Sequence, residues 1–249
     1  MKKVLIAFSF IPVVTFAITD EQKETMVQAS IQTLKQQGLV TPDSGVEIVP
    51  RQALMLPDWQ KNKEIEQTHQ LKTKGYINET SDRAYELLHF KEVIKRNEAI
   101  EAKMHLPDES HMRHNVAELL MAYPYSGVPQ SEMKEFIGIA PAGTYVKKPV
   151  IGWSGAVEFF KTTFGMCAYT ENNLHISHGA ARVAEEDATS DVNGKATLVD
   201  VRGNESSGFL YQVEWFDNHF IRKLECATEI YSLNVTEATI ELARRTDKA

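Results

Sequence analysis

The 249-residue sequence contains only two cysteines, Cys167 and Cys226, and no Lys/Arg run longer than two. It has no internal repeat and no low-complexity tract, and beyond residue 17 no stretch approaches the ~20 apolar residues that a membrane-spanning helix needs. These absences exclude repeat architectures and a helical membrane span after the first segment. Acidic residues outnumber basic ones, 34 to 27, for a formal net charge of −7. An acidic chain without basic patches argues against nucleic acid and against anionic membrane as partners. No cofactor is implied, and no nucleophile, base and orienter stand together in a diagnostic catalytic motif.

The most informative feature present is the N-terminal segment. Lys2 and Lys3 precede an apolar run from Val4 to Phe16, and Thr15-Phe16-Ala17 supplies small residues at the first and third positions before a cleavage point. This is the pattern of a secretory signal peptide over residues 1–17. Its apolar core is too short to span a bilayer. No cysteine lies at or just after the cut, which removes the lipoprotein anchor. The expected mature chain begins near Ile18, and loss of the two lysines takes its net charge from −7 to −9. The implied location is periplasmic or secreted. In that compartment an even cysteine count suggests a Cys167–Cys226 bridge, with two free thiols or a cysteine nucleophile as the alternatives.

The mature chain reads as two parts, a helical region over 18–138 and an antiparallel β-rich domain with a C-terminal helix over 144–249. Thr19 with Gln22 forms a capping-box pattern. Val27, Ile31 and Leu34 recur at helical spacing, and Gly38 stops the helix before Thr41-Pro42. Residues 42–57, with Pro42, Pro50 and Pro57, read as a loop or extended linker. Residues 58–74 fit a polar helix ending at Gly75 whose large apolar points are only Trp59, Ile65 and Leu71. Leu87, Phe90 and Ile94, extended by Ala84 and Met104, mark a helix within 82–104, and Pro107 restarts the chain. Met112, Val116, Leu119, Leu120 and Tyr123 form the strongest amphipathic pattern in the sequence. A short helix is expected at 131–137.

After Gly143 the period becomes two. Val199 and Val201 alternate with Asp200 and Arg202. Phe209, Tyr211, Val213 and Trp215 share one strand face, and Asp217-Asn218 fits a two-residue turn with Asn at positive φ. That register pairs Trp215 with Phe220, Val213 with Arg222, Tyr211 with Leu224 and Phe209 with Cys226. Cys226 then points inward for a bridge across the core. Arg222 is the one charge on that face and lies at an edge or beside a carboxylate. Residues 183–194 are acidic and read as an exposed loop. Val235, Ala238, Ile240 and Leu242 mark a last helix over 235–245.

Three constellations are candidates for chemistry. Gly152-Trp153-Ser154-Gly155-Ala156 resembles a nucleophile elbow, with Val150-Ile151 as its strand, 157–160 beginning its helix, and Asp191 or Asp200 and then His219 following in α/β-hydrolase order. Against it, a helical half precedes the serine, and the motif also fits a Gly-bounded turn that seats Trp153 in the core. His175 and His178, on a strand beside the acids of 185–191 and His219, have metal-ligand chemistry at loose spacing. His111, His114 and Glu118 would cluster on one helix face, opposite Met112, Val116 and Leu119. Asn78, Asn204 and Asn234 head N-x-S/T sequons, which matter only in a eukaryotic source.

The sequence therefore predicts an exported α+β protein, because helices and strands are segregated. The expected role is binding or assembly, as a non-catalytic subunit of a bacterial envelope or secretion complex or a secreted protein-interaction factor. Its positive reason is the polar stretch 42–82, which buries too little apolar surface alone to offset its ordering entropy. The rival readings are a secreted serine hydrolase using Ser154 and His219, and a periplasmic metal-binding protein.

Overall fold

The computed structural model describes residues 19–38, 44–104 and 111–248. The predicted signal peptide over 1–17, the Thr41-Pro42 stop and the restart at Pro107 lie outside those residues. The architecture is α+β: an N-terminal helical region, a mixed sheet of many strands, the Cys167–Cys226 disulfide and a C-terminal helix.

The chain order is α1 (Asp20–Gln37), β1 (Gly45–Val49), α2 (Asp58–Lys74), β2 (Ile77–Asn78), α3 (Asp82–Leu88), α4 (Phe90–Met104), β3 (Glu135–Val146), β4 (Gly152–Lys161) and β5 (Met166–Asn173). It continues through α5 (Leu174–Ser177), β6 (Ala180–Ala184), β7 (Ser190–Val192), β8 (Lys195–Asn204), β9 (Gly208–Phe216), β10 (Phe220–Thr228) and α6 (Leu233–Thr246). The large sheet runs β2-β8-β9-β10-β5-β4-β3, with β7 on the outer edge of β8. It is antiparallel apart from the two-residue β2–β8 pairing.

One face carries Glu158 and Phe160 of β4, Cys167, Tyr169 and Glu171 of β5, Arg222 and Leu224 of β10, and Val213 and Trp215 of β9. Leu242 and Ala243 of α6, together with Val128, close over it. Two polar anchors fix α6 there. The Trp215 Nε1–H donates to Asp247 at 3.0 Å, and Lys195 Nζ pairs with the same carboxylate at 2.6 Å. The opposite face is covered at one end by Val27, Ile31 and Leu34 of α1, packed on Ala196 and Phe216. At the other end Ala84, Leu87 and Phe90 pack on Ala168, Leu210 and Ala227. Full burial of such a side chain stabilises by about 1.5–3 kcal/mol.

Local signals explain the helix ends. Thr19 and Gln22 exchange both capping-box hydrogen bonds, and α1 stops where Gly38 takes φ +58°. Gly75 ends α2 in the left-handed region at φ +81°. Between α3 and α4, His89 breaks the pattern into two helices, and Met104 is exposed instead of extending the apolar face.

Several expectations are corrected. Residues 45–49 are a strand, paired in parallel with β6, and Val46 and Ile48 are buried beneath α1. The 183–194 stretch is likewise built in: Val183, Ala184, Ala188, Asp191 and Val192 are buried. The 131–137 helix reduces to a 3-10 turn at Gln130–Glu132, and β3 starts at Glu135, ahead of the expected change at Gly143.

The 111–123 helix is absent. Arg113 exchanges main-chain hydrogen bonds with Ile139 on β3, at 2.7 and 2.8 Å. Trp153 N–H donates to Leu120 O at 2.9 Å, and Ala122 N–H donates to Trp153 O at 3.0 Å. Only Val116–Glu118 coils, as a 3-10 turn. A sheet edge that needs main-chain partners has overridden the 3.6-residue pattern, and the segment covers that edge.

The β9–β10 hairpin has the expected faces but a different turn. Trp215 pairs with Arg222, Val213 with Leu224 and Tyr211 with Cys226, two residues away from the expected register. The even offset preserves every face. The loop is Asn218-His219, neither residue at positive φ, and the Asp217 carboxylate accepts from the N–H groups of His219 and Phe220, both at 2.9 Å. Cys226 faces Cys167 directly on the neighbouring strand β5, with Cα atoms 4.1 Å apart. The bridge therefore links adjacent strands of one sheet and does not cross the core.

Candidate functional site

Ser154 lies within β4, which runs unbroken to Lys161, so residues 157–160 extend a strand and begin no helix. The side chain is fully buried. Its Oγ accepts from Thr144 N–H at 2.9 Å and donates to Asn172 Oδ1 at 3.3 Å. Those bonds support the irregularity in β3 between Ala142 and Tyr145. Gly143, at φ +71°, is required beside it, since a Cβ there would fall 2.3 Å from the serine oxygen. Trp153 is half-buried, its ring 5.2 Å from that of Tyr145, and so is not the core anchor that the motif suggested.

The histidine candidates also sit differently. His175 is on the short helix α5, and His178 caps it in the left-handed region at φ +55°, so neither is on a strand. His219, exposed in the hairpin loop, has its ring 5.7 Å from that of His175. His114 Nδ1 lies 3.2 Å from Ile137 O, Glu118 is in the 3-10 turn, and without a helix His111, His114 and Glu118 share no helix face. Among the described residues no three His, Cys, Asp or Glu side chains converge on a point that would hold a metal ion.

Sequence reasoning allowed for a carboxylate beside Arg222 but missed the buried set of acids and tyrosines around it. Arg222 Nε donates to Glu171 at 2.8 Å and its Nη1 to Asp217 at 2.6 Å. Tyr169 O–H donates to the same Glu171 oxygen at 2.9 Å, and the Tyr123 phenol faces that carboxylate. Burial works against the Arg222 charge, but Asp217 and Glu171 outweigh it and raise its pKa. Burial likewise works to raise Asp217, but Arg222 and two N–H groups hold its pKa down.

One strand away, Glu158 is 2% exposed. Its Oε2 accepts from Val128 N–H at 2.8 Å, and the Tyr125 phenol faces it. Burial pushes its carboxyl up from 4.5 to about 7, more than the Val128 bond can offset. Together these groups clamp the 123–129 loop onto the sheet. Gly127 makes the approach possible, because a Cβ there would meet Glu158 Oε1 at 2.6 Å. The signal was available: Glu158 and Glu171 sit in phase with Phe160 and Tyr169, where strand alternation calls for apolar residues.

On the surface, α2 is the unusual element. It is 17 residues long and has no buried residue. Trp59 is 69% and Ile65 68% exposed, and Met55 just before the helix is 89% exposed. Polar contacts hold the segment to the body. The Arg51 guanidinium pairs with Glu64 and Asp187, Arg51 N–H donates to Glu186 at 2.9 Å, and Gln70 accepts from Asn78 N–H at 2.8 Å. Between α2 and β8 lies an open cleft of about 660 Å³, with Trp59 at its wall and Leu71, Ile77 and Leu198 along it. No helix of the described residues is long and apolar enough to cross a membrane. No protein-family model matches the chain, and no curated protein or solved structure matches it significantly.

Proposed function

We propose that this is an exported, non-catalytic binding protein of the bacterial envelope or the extracellular space, and that it docks a protein partner through the α2 segment. The observation that carries this reading is a 17-residue helix with no buried residue that leaves Trp59 and Ile65 largely in solvent, with Met55 just before it also exposed. Fixing such a segment against the sheet costs conformational entropy that its own apolar contacts do not offset. Large apolar and aromatic side chains at a surface are the composition of interaction hot spots. The Cys167–Cys226 bridge supports an oxidising compartment, and the residue 1–17 pattern supplies the export route.

The test is a Trp59→Ser/Ile65→Ser variant expressed from its native signal segment. Partners that co-purify with the wild-type chain from envelope extracts should be lost, while the variant's unfolding midpoint stays within a degree or two of the parent. Retention of the same partners by the folded double variant would refute the docking surface.

A further inference from the structure

We propose that the cleft bounded by α1, α6 and the outer edge of β8 binds a small amphiphilic amine. The space arises from sheet topology. Strand β7 pairs with β8 only as far as Thr197, and β2 joins it only at Arg202. Among the described residues, 198–201 therefore have no strand on their outer side, and the cleft opens there. Its volume is about 610 Å³, within the range of about 300–1,000 Å³ usual for small-molecule sites. Met26, Leu71, Val199, Tyr231 and Ile240 give it an apolar wall from four different elements and the turn before α6.

The polar groups choose the ligand's charge. Four of the six charged side chains in the lining are acids, namely Asp191, Asp200, Glu237 and Glu241, against Lys23 and Arg244. Arg244 is already engaged: it pairs with Glu241, and its Nε and Nη2 donate to the Asp191 main-chain carbonyl at 3.3 and 3.1 Å. Asp200 is held by Arg202 at 3.1 Å. Asp191 is only 5% exposed; its Oδ1 accepts from Gly194 N–H at 3.2 Å, and its Oδ2 has no hydrogen-bond partner. Thr236 Oγ1, buried in the same lining, has none either. A buried carboxylate oxygen and a buried hydroxyl without partners are costly to leave unmet. An ammonium group carries up to three donors for them, and its aliphatic or aromatic body fills the apolar wall. An anion would meet the acids and gain nothing from the occupied guanidinium. α2 contributes Leu71 to this lining, but Trp59 and Ile65, which carry the docking surface, take no part in it.

Hexylammonium, 1-hexanol and hexanoate, titrated calorimetrically into the mature, disulfide-intact protein, separate the charge from the chain. Hexylammonium should bind about tenfold more tightly than hexanol, since a charge-assisted hydrogen bond is roughly twice as strong as a neutral one, and hexanoate should bind most weakly. Asp191→Asn should reduce the amine to the level of the alcohol, and Thr236→Trp should abolish both by filling the cleft. In the unaltered protein, the methyl resonances of Val199, Val201 and Ile240 should shift with the amine, a readout independent of how the variants fold. The proposal is overturned if hexanoate binds as tightly as hexylammonium, if folded Asp191→Asn keeps the preference for the amine, or if those methyl resonances do not move.

Discussion

Glu158→Gln should stabilise the protein by an amount that grows as pH rises above 4.5 and is complete above about 7. Glu158 is an acid on the core face of β4, a strand paired on both sides, 2% exposed, with its carboxyl raised by burial from 4.5 to about 7. An unfolded chain loses that proton near 4.5, whereas the folded chain keeps it to about 7. Between those values the native state binds more protons than the unfolded state, so stability falls as pH rises and levels off above about 7. At 1.36 kcal/mol per pH unit, the ionised form costs roughly 3 kcal/mol once the folded group has titrated. Glutamine removes the charge, and its Oε1 still accepts from Val128 N–H. The amide also needs an acceptor, for which the Tyr125 oxygen is at hand, so we expect a net gain of about 2–3 kcal/mol. Urea unfolding with the disulfide intact, extrapolated to water at pH 4.5, 6.5 and 8.5, reads the effect. The two proteins should agree at pH 4.5 and diverge progressively to pH 8.5. Equal stabilities at pH 8.5, or a difference that does not vary with pH, would refute the reasoning.

Arg222→Leu should act in the opposite direction, because it leaves Glu171 (6% exposed side chain) and Asp217 (25%) without their cation. Removing one member of a buried pair costs about 3–5 kcal/mol. With Asp217 partly solvated the lower end applies, so the thermal midpoint should fall by about 6–12 °C; a shift under 2 °C would contradict it. Reduction of Cys167–Cys226, which closes a loop with a sequence separation of 59, should lower stability by about 4 kcal/mol in the chain-entropy model. Thiol titration of the denatured, unreduced protein should find no free thiol. Mass spectrometry of the exported protein should place its N-terminus at or near Ile18, and a mature pool that retains Met1 would sink the compartment argument.

The parts of the fold that could be read from sequence are those where local chemistry decides. The Thr19/Gln22 capping box and Gly38 delimit α1, and Gly75 ends α2. In the hairpin, alternation gave the faces correctly, because any even register preserves them. The turn escaped because Asp217 satisfies the loop N–H groups with its own carboxylate, so no residue there needs positive φ. Residues 111–123 were misleading for a different reason. Their apolar spacing is helical, but the exposed edge of the sheet offers Arg113 and Leu120 main-chain partners that no local pattern records. Residues 45–49 and 190–192 are too short to reveal a period, and their burial comes from the distant elements that cover them.

Site chemistry was legible in part. The anticipated carboxylate beside Arg222 exists, as Glu171 with Asp217. The Glu158 clamp on the 123–129 loop was not foreseen, because it joins segments 30 residues apart in sequence. Ser154 matched an elbow by composition alone, since strand pairing, which the Gly152–Ala156 pentapeptide cannot encode, holds it within an extended strand.

Site-specific photocrosslinking from position 59 in living cells tests docking through α2 most directly. A photoreactive residue replacing Trp59 should give a discrete adduct with a second protein, and the same residue at exposed Glu205 should give none. No adduct at position 59, or the same adducts from both positions, would contradict the account.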